Sequence, residues 1–201
     1  MIFMLNSRIK IFKNIEKPFF MESIEGGADL EKIKYKKTGE AIYADGRQVL
    51  VRGCHDALIA CDNQEGRRGI LLIRRDAEPA KGYLWCLGGG LGKGEPMDNS
   101  LASIIKSESG LDVDEDSYVI LGYSRAIWKT TPHKKAEAKR FPLGTDDVML
   151  LFYVEGHGKI NLDRLHSKPL IVTPAMYNEE LRAQLHPYIQ MGMDRAIKFL
   201  K

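Results

Sequence analysis

The sequence lacks the cysteine pairs, long apolar runs and charge blocks that mark several classes of protein. Its three cysteines, Cys54, Cys61 and Cys86, show no C-x-x-C spacing, which argues against a disulfide framework or zinc site and favours a reducing, cytoplasmic setting. No apolar stretch of about 18 residues and no leader-peptide core occurs, so we expect neither a membrane span nor a signal peptide. The net charge is only +3, so nucleic acid is not an expected partner.

The chain has the composition and the length of an ordinary globular protein. It contains 201 residues, of which 44% are hydrophobic and 28% are charged, and this is enough for a sizeable core. Residues 1–30 are interpreted as an N-terminal extension that ends near Gly26 and Gly27. We expect a single domain over residues 31–201, including helices at the C-terminus.

Apolar runs predict the strands of this domain. Cys54–Cys61 and Gly69–Arg75 flank a polar turn and predict a β-hairpin. Tyr118–Trp128 predicts a further strand, and Val148–Glu155 is the most apolar run and is expected to lie centrally in a sheet.

Proline residues mark the expected C-terminal helices. Thr173 can cap a helix and Pro174 suits its first position, so a helix is predicted from there to about Leu185. Pro187 breaks that helix or begins a second one, which is expected to run to Leu200.

The most informative stretch is rich in glycine and leads into a helix pattern. Glycines are dense from Gly82 to Gly94, N-cap residue types follow at 98–100, and apolar residues recur at helical spacing until Gly110. The pattern predicts a strand, a glycine loop and a short helix. Such a loop directs backbone N–H groups at anions, and the helix can add carboxylates for a metal.

This stretch resembles the Nudix box, whose pattern is G-x5-E-x7-R-E-U-x-E-E-x-G-U with U an aliphatic residue. The matching residues are Gly89, Glu95, Ile105, Glu108, Gly110 and Leu111. The departures are Ser103 at the arginine position and Ile104 and Ser107 at two glutamate positions, so the box is degenerate. The apolar strand that ends in Arg75 and the aromatic residues before the glycines fit the same family.

The resemblance implies a Nudix-type α/β/α sandwich with a mixed sheet. It also implies a hydrolase that acts on a nucleoside diphosphate linked to another group, with a nucleotide sugar as one candidate. Because two helix glutamates are missing, a catalytically inactive nucleotide-binding or protein-interaction module remains the alternative. The expected partner is a small nucleotide-type molecule; a homodimer is left open, and no membrane is expected.

The resemblance also suggests which residues form the site. Glu108 is the candidate catalytic residue and, with Glu95, the candidate ligand of weakly bound Mg²⁺ or Mn²⁺. The resemblance favours a different role for Glu95, in which it holds the loop by hydrogen bonds. Strand alternation sends only one of Arg74 and Arg75 toward the site. The candidate substrate-binding residues are Arg74, Arg75, Gly88, Gly89, Gly90, Lys134, Lys135 and Arg140.

A polar segment from Lys129 to Asp147 is the second candidate region. Its basic side chains can neutralise phosphates, and His133 is a candidate general base because its reference pKa is about 6.5. A plain solvated loop is an equally good interpretation for any one of these residues. Asp146 and Asp147 either replace the missing glutamates or belong to a turn, and Trp128 either stacks on a base or sugar or belongs to the core.

Overall fold

The computed structural model describes residues 50–78, 80–114, 116–128 and 145–200. The strands are β1 (Arg52–Asp62), β2 (Arg68–Arg75), β3 (Leu84–Trp85), β4 (Leu87–Gly90), β5 (Asp112–Val113), β6 (Val119–Trp128), β7 (Thr145–His157) and β8 (His166–Val172). The helices are α1 (Met97–Ser109), α2 (Glu179–Gln184), α3 (Pro187–Ala196) and a final 3₁₀ helix (Ile197–Phe199). The N-terminal extension predicted over residues 1–30 lies outside the described residues.

All eight strands belong to one mixed sheet. Its main path runs β3-β2-β1-β7-β5, with β4 beside β1, β6 beside β7, and β8 beside β2. The β1–β7 pair is parallel, whereas the other pairs are antiparallel. The predicted hairpin of β1 and β2 and the central place of β7 are confirmed, as is the predicted α/β/α sandwich with a mixed sheet.

One edge of β1 changes partner along its length. The end of the strand, from Ile59 to Asp62, pairs with β2, whereas the start, from Cys54 to Ala57, pairs with β4. The residues predicted as a glycine loop therefore form a strand at positions 87–90, and only the segment after Gly90 is irregular. This change of partner brings the glycines alongside buried polar residues of β1.

The C-terminal helices differ from the sequence prediction at one point. The helix predicted from Thr173 was wrong at its start, because the Thr173 carbonyl accepts hydrogen bonds from the N–H groups of Met176 and Tyr177 (3.0 and 3.2 Å) and closes a turn. The Asn178 side chain then accepts from the Leu181 N–H (2.9 Å) and starts α2. The helix therefore starts at the Asn178 cap and not at the Thr173–Pro174 pair.

Helix α3 begins at the predicted residue and packs on the sheet. Pro187 is its first residue, and Ile189 and Met193 on its inner face are fully buried. Gly192 lies against Leu58 and Leu151, where a side chain would overlap the two leucines. None of the helices in the described ranges is long and apolar enough to cross a membrane.

Candidate functional site

A cleft with a volume of about 200 Å³ opens where β1, β4 and the end of α1 meet. Its walls include charged side chains from several elements together with glycine backbone and two indole rings. The residues that matter most below are Arg75, Asp56, Gly88, Glu108, Trp128 and His166. These residues come from six different elements, so only the folded chain brings them together.

Helix α1 delivers Glu108 to this cleft. The helix ends at Gly110, which has a φ of 75° and whose N–H donates to the Lys106 carbonyl, so the sequence prediction of a glycine stop is confirmed. Glu108 lies in the last turn, and its carboxylate accepts a hydrogen bond from the Gly88 N–H (3.3 Å). Burial and the nearby Asp163 raise the pKa of Glu108 to about 7, although the Gly88 hydrogen bond and Arg75 oppose the shift.

Gly88 lets β4 approach β1 closely. It lies opposite Asp56 in the sheet and has a φ of 153°, and an added Cβ would overlap the Asp56 side chain and the His55 carbonyl. Only glycine fits there without moving a strand. Because the Gly88 N–H binds Glu108, the glycine backbone here positions a carboxylate.

Asp56 is a buried carboxyl group at the base of the cleft. The hydroxyl of Tyr188 on α3 donates to its Oδ2 (3.0 Å). Burial raises the pKa of Asp56 to about 6, and the Tyr188 hydrogen bond and the charges of Arg75 and Arg52 limit the rise. The sequence analysis did not single out Asp56, because a lone aspartate in a buried strand gives no pattern.

The two arginines at the end of β2 have different surroundings. Arg75 lines the cleft, and its Nε is buried and has no hydrogen-bond partner among the described residues. Arg74 is exposed. Strand alternation thus places one arginine in the cleft and the other outside it, and the substrate-binding role of each remains a prediction.

Three potential metal ligands meet at the end of α1. One donor atom from each of Glu108, Asp163 and His166 lies within 4.8 Å of the other two. Two carboxylates and an imidazole are a donor set that suits a divalent cation. Glu95 does not belong to this group: it lies in the turn before α1, where its N–H donates to the Gly92 carbonyl (3.2 Å).

Asp147 and the aromatic residues complete the walls. Asp147 lies in β7 and not in a turn. Its buried carboxylate forms a two-pronged ion pair with Arg52 (2.8 and 2.9 Å). The Trp128 ring packs against Trp85 and His186, with centroids 5.9 and 5.6 Å away. The candidates His133, Lys134, Lys135 and Arg140 lie outside the described residues.

Comparison with known proteins identifies the fold. No protein-family model matches the chain. The structure is similar to a MutT NUDIX hydrolase from Burkholderia pseudomallei, with a TM-score of 0.52, 18% identity, and coverage of 73% of this chain and 98% of that one. The chain has the Nudix fold.

Two further proteins are similar to parts of the chain. A MutT/nudix family protein from Enterococcus faecalis aligns with 68% of this chain and 57% of its own length, with 14% identity and a TM-score of 0.46. In sequence, the chain is 26% identical over 126 residues to the low-salt glycan biosynthesis protein Agl8 of Haloferax volcanii. That alignment covers 63% of this chain and 72% of the relative.

Proposed function

We propose that the chain is a Nudix-type hydrolase that acts on a nucleoside diphosphate linked to another group, most favourably a sugar. The observation that supports this most directly is that Arg75 and Glu108 line one cleft. A buried guanidinium N–H without an acceptor costs free energy, and a phosphate oxygen would satisfy it. A carboxylate in the same cleft is a suitable ligand for a metal that accompanies a diphosphate.

The residues of the cleft divide the roles that this reaction needs. Arg75 would bind the diphosphate and offset charge that develops on the leaving phosphate. A divalent metal, when bound, would polarise a phosphoryl oxygen and help to generate the attacking hydroxide. Glu108 would hold that metal, and Gly88 would keep Glu108 in place through its N–H.

A sugar is favoured as the second group for two reasons. Trp128 lines the cleft, and an indole ring can pack against the apolar face of a sugar or on a base. The Haloferax relative is described as a glycan biosynthesis protein, which connects a similar sequence with carbohydrate chemistry.

A substrate panel tests the proposal. Nucleotide sugars and dinucleoside polyphosphates are incubated with the full chain and Mg²⁺ or Mn²⁺, and chromatography identifies the products and hence the broken bond. We expect turnover of at least one nucleotide sugar, with activity abolished in Glu108→Gln and retained in Glu180→Gln, which alters an exposed glutamate of α2. Failure of every compound both to react and to bind would contradict the proposal.

Neighbouring arginines provide a second comparison. Arg75→Ala should lower kcat/KM by about tenfold to a hundredfold, because hydrogen bonds to charged groups are worth about 1.5–3 kcal/mol. Arg74→Ala, which alters an exposed residue, should have a smaller effect. Equal losses in the two variants would exclude a special role for the Arg75 guanidinium that lines the cleft.

The alternative is a catalytically inactive nucleotide-binding module. It is favoured by the departures at Ile104 and Ser107, and the Ser107 hydroxyl donates to the carbonyl of Ile104 in its own helix (2.9 Å). Calorimetric binding of a nucleotide sugar without turnover, unchanged in Glu108→Gln, would support this alternative.

A further inference from the structure

Asp163 and His166 approach the end of α1 although nothing in the Nudix-box pattern includes them. They lie in the segment that leads into the start of β8, and backbone hydrogen bonds join this segment to the end of α1. The Asp163 N–H donates to the Glu108 carbonyl (2.9 Å), and the Asn161 N–H donates to the Ser109 carbonyl (2.7 Å). The position of Asp163 relative to Glu108 is therefore set by the backbone.

The orientation of His166 is fixed as well. It begins β8 and lies opposite Arg75 in the sheet, its side chain is 3% exposed, and it lines the cleft. Its Nδ1 lies 2.7 Å from Asp163 Oδ1; because an ionised carboxylate only accepts hydrogen bonds, Nδ1 is the donor. The second ring nitrogen has no hydrogen-bond partner among the described residues.

The His166 Nδ1 and Asp163 Oδ1 atoms are about as far apart as two ligand atoms of one metal ion, and a carboxylate oxygen of Glu108 belongs to the same group of donor atoms. An ion held by these atoms would take the place of the Nδ1 proton, and the neutral imidazole would then carry its proton on the other ring nitrogen. Asp163 Oδ1 is held in place by the Leu165 N–H, which donates to it (2.9 Å). Within the described ranges, neither Glu108 nor Asp163 forms an ion pair with a lysine or arginine.

We infer that Glu108, Asp163 and His166 form a divalent-cation site whose imidazole ligand favours Mn²⁺ over Mg²⁺. The site takes one ligand from the box helix and two from the start of β8. Nitrogen ligands suit transition metals, whereas Mg²⁺ prefers oxygen and retains several waters. The role of this metal beside a diphosphate rests on the proposed function. Binding of the metal itself requires no substrate, so it can be tested separately.

Metal binding by the full chain, without nucleotide, tests the inference. After chelator treatment, free Mn²⁺ is measured by electron paramagnetic resonance during titration, and Mg²⁺ is added in competition. We expect one Mn²⁺ per chain that Mg²⁺ displaces only in large excess. His166→Gln and Asp163→Asn should each weaken Mn²⁺ binding at least about tenfold.

A matched control exists on the surface. His157 and Asp114 form a similar contact (Nδ1 to Oδ1, 3.2 Å), but both side chains are exposed. The variants His157→Gln and Asp114→Asn should bind Mn²⁺ like the parent. Loss of binding in the controls equal to that in the site variants would overturn the assignment.

A spectroscopic measurement on the unaltered chain covers the case in which a variant fails to fold. Electron spin-echo spectroscopy of the Mn²⁺ complex should show coupling to a ring nitrogen, and this coupling should be absent from folded His166→Gln. Bound Mn²⁺ without nitrogen coupling, or no Mn²⁺ binding at all, would refute the site. If the chain still hydrolyses a nucleotide sugar in that case, the proposed function is retained and only the Mn²⁺ site is refuted.

Discussion

Two neighbouring aspartates on β7 form ion pairs of the same kind in opposite surroundings. Asp147 accepts two hydrogen bonds from Arg52 (2.8 and 2.9 Å), and Asp146 accepts two from Arg125 (3.0 and 2.6 Å). In the first pair the aspartate side chain is 3% exposed and the arginine 25%, whereas in the second the values are 28% and 57%. The Asp147 pair therefore lies at the cleft, whereas the Asp146 pair faces solvent.

The comparison shows that the geometry of an ion pair does not determine its contribution to stability. Around Asp146, Arg125 lowers the pKa of the carboxyl group, but water screens an exposed pair, so it contributes little. Around Asp147, a carboxylate left alone would remain buried without a counter-charge, which is costly. The inner pair should therefore be sensitive to changes that the outer pair tolerates.

Removing the positive charge of the inner pair should have the largest effect. Arg52→Gln leaves the buried Asp147 carboxylate without this counter-charge, and we expect the free energy of unfolding to fall by about 3–4 kcal/mol. Urea unfolding followed by circular dichroism measures the change. Arg125→Gln is the matched control and should leave the midpoint nearly unchanged; a similar loss in both variants would contradict the distinction.

Asp56 sharpens the comparison, since it is a buried carboxyl group that bonds to a phenol instead of an arginine. Burial raises its pKa from an ordinary value of 3.8 to about 6. Between these pH values the folded chain keeps the proton that the unfolded chain releases, so stability falls as pH rises through this window. A shift of about two units corresponds to at most about 3 kcal/mol.

The Asp56→Asn variant isolates this contribution. Asparagine can still accept the Tyr188 hydrogen bond but has no proton to lose, so the stability difference between variant and parent should move in favour of the variant from pH 4 to pH 6.5. Urea unfolding at several pH values gives the difference directly. A pH-independent difference would show that Asp56 titrates normally.

Exchanging the cations gives the smallest expected effect. Lysine cannot form the two-pronged contact of arginine, so Arg52→Lys should cost about 1 kcal/mol through the loss of one charge-assisted hydrogen bond. Arg125→Lys should have no measurable effect on the unfolding midpoint. Added salt should reduce the contribution of the outer pair to stability more than that of the inner pair. A larger reduction at the inner pair would argue that the inner pair is solvated.

Regular patterns made much of the fold predictable. The apolar runs at 54–61, 69–75 and 148–155 specified the hairpin and the central strand, and Gly110 specified the end of α1. The short strands β4, β5 and β8 were not predicted, because two to seven residues leave little room for alternation. Their pairing depends on neighbouring strands that sequence reading does not locate.

The site was predictable only where one motif contained it. Glu108 and the glycines belong to a single local pattern, and Arg75 ends a recognisable strand. Asp163 and His166 occupy a short polar segment whose spacing resembles that of any turn, and they gain meaning only because this segment is bonded to the end of α1. Asp56 was hidden in the same way inside an apolar strand.

The close contact of Gly88 with β1 also limits how the sequence can vary. A side chain at position 88 would overlap the neighbouring strand, whereas one at Gly89 or Gly90 would meet only the side chains of Ile104 and Arg52 at ordinary contact distances (3.4 and 3.5 Å). Three adjacent glycines that look equivalent in the sequence therefore differ in how well they tolerate a side chain. A library that redesigns this wall of the cleft should keep position 88 constant and vary positions 89 and 90.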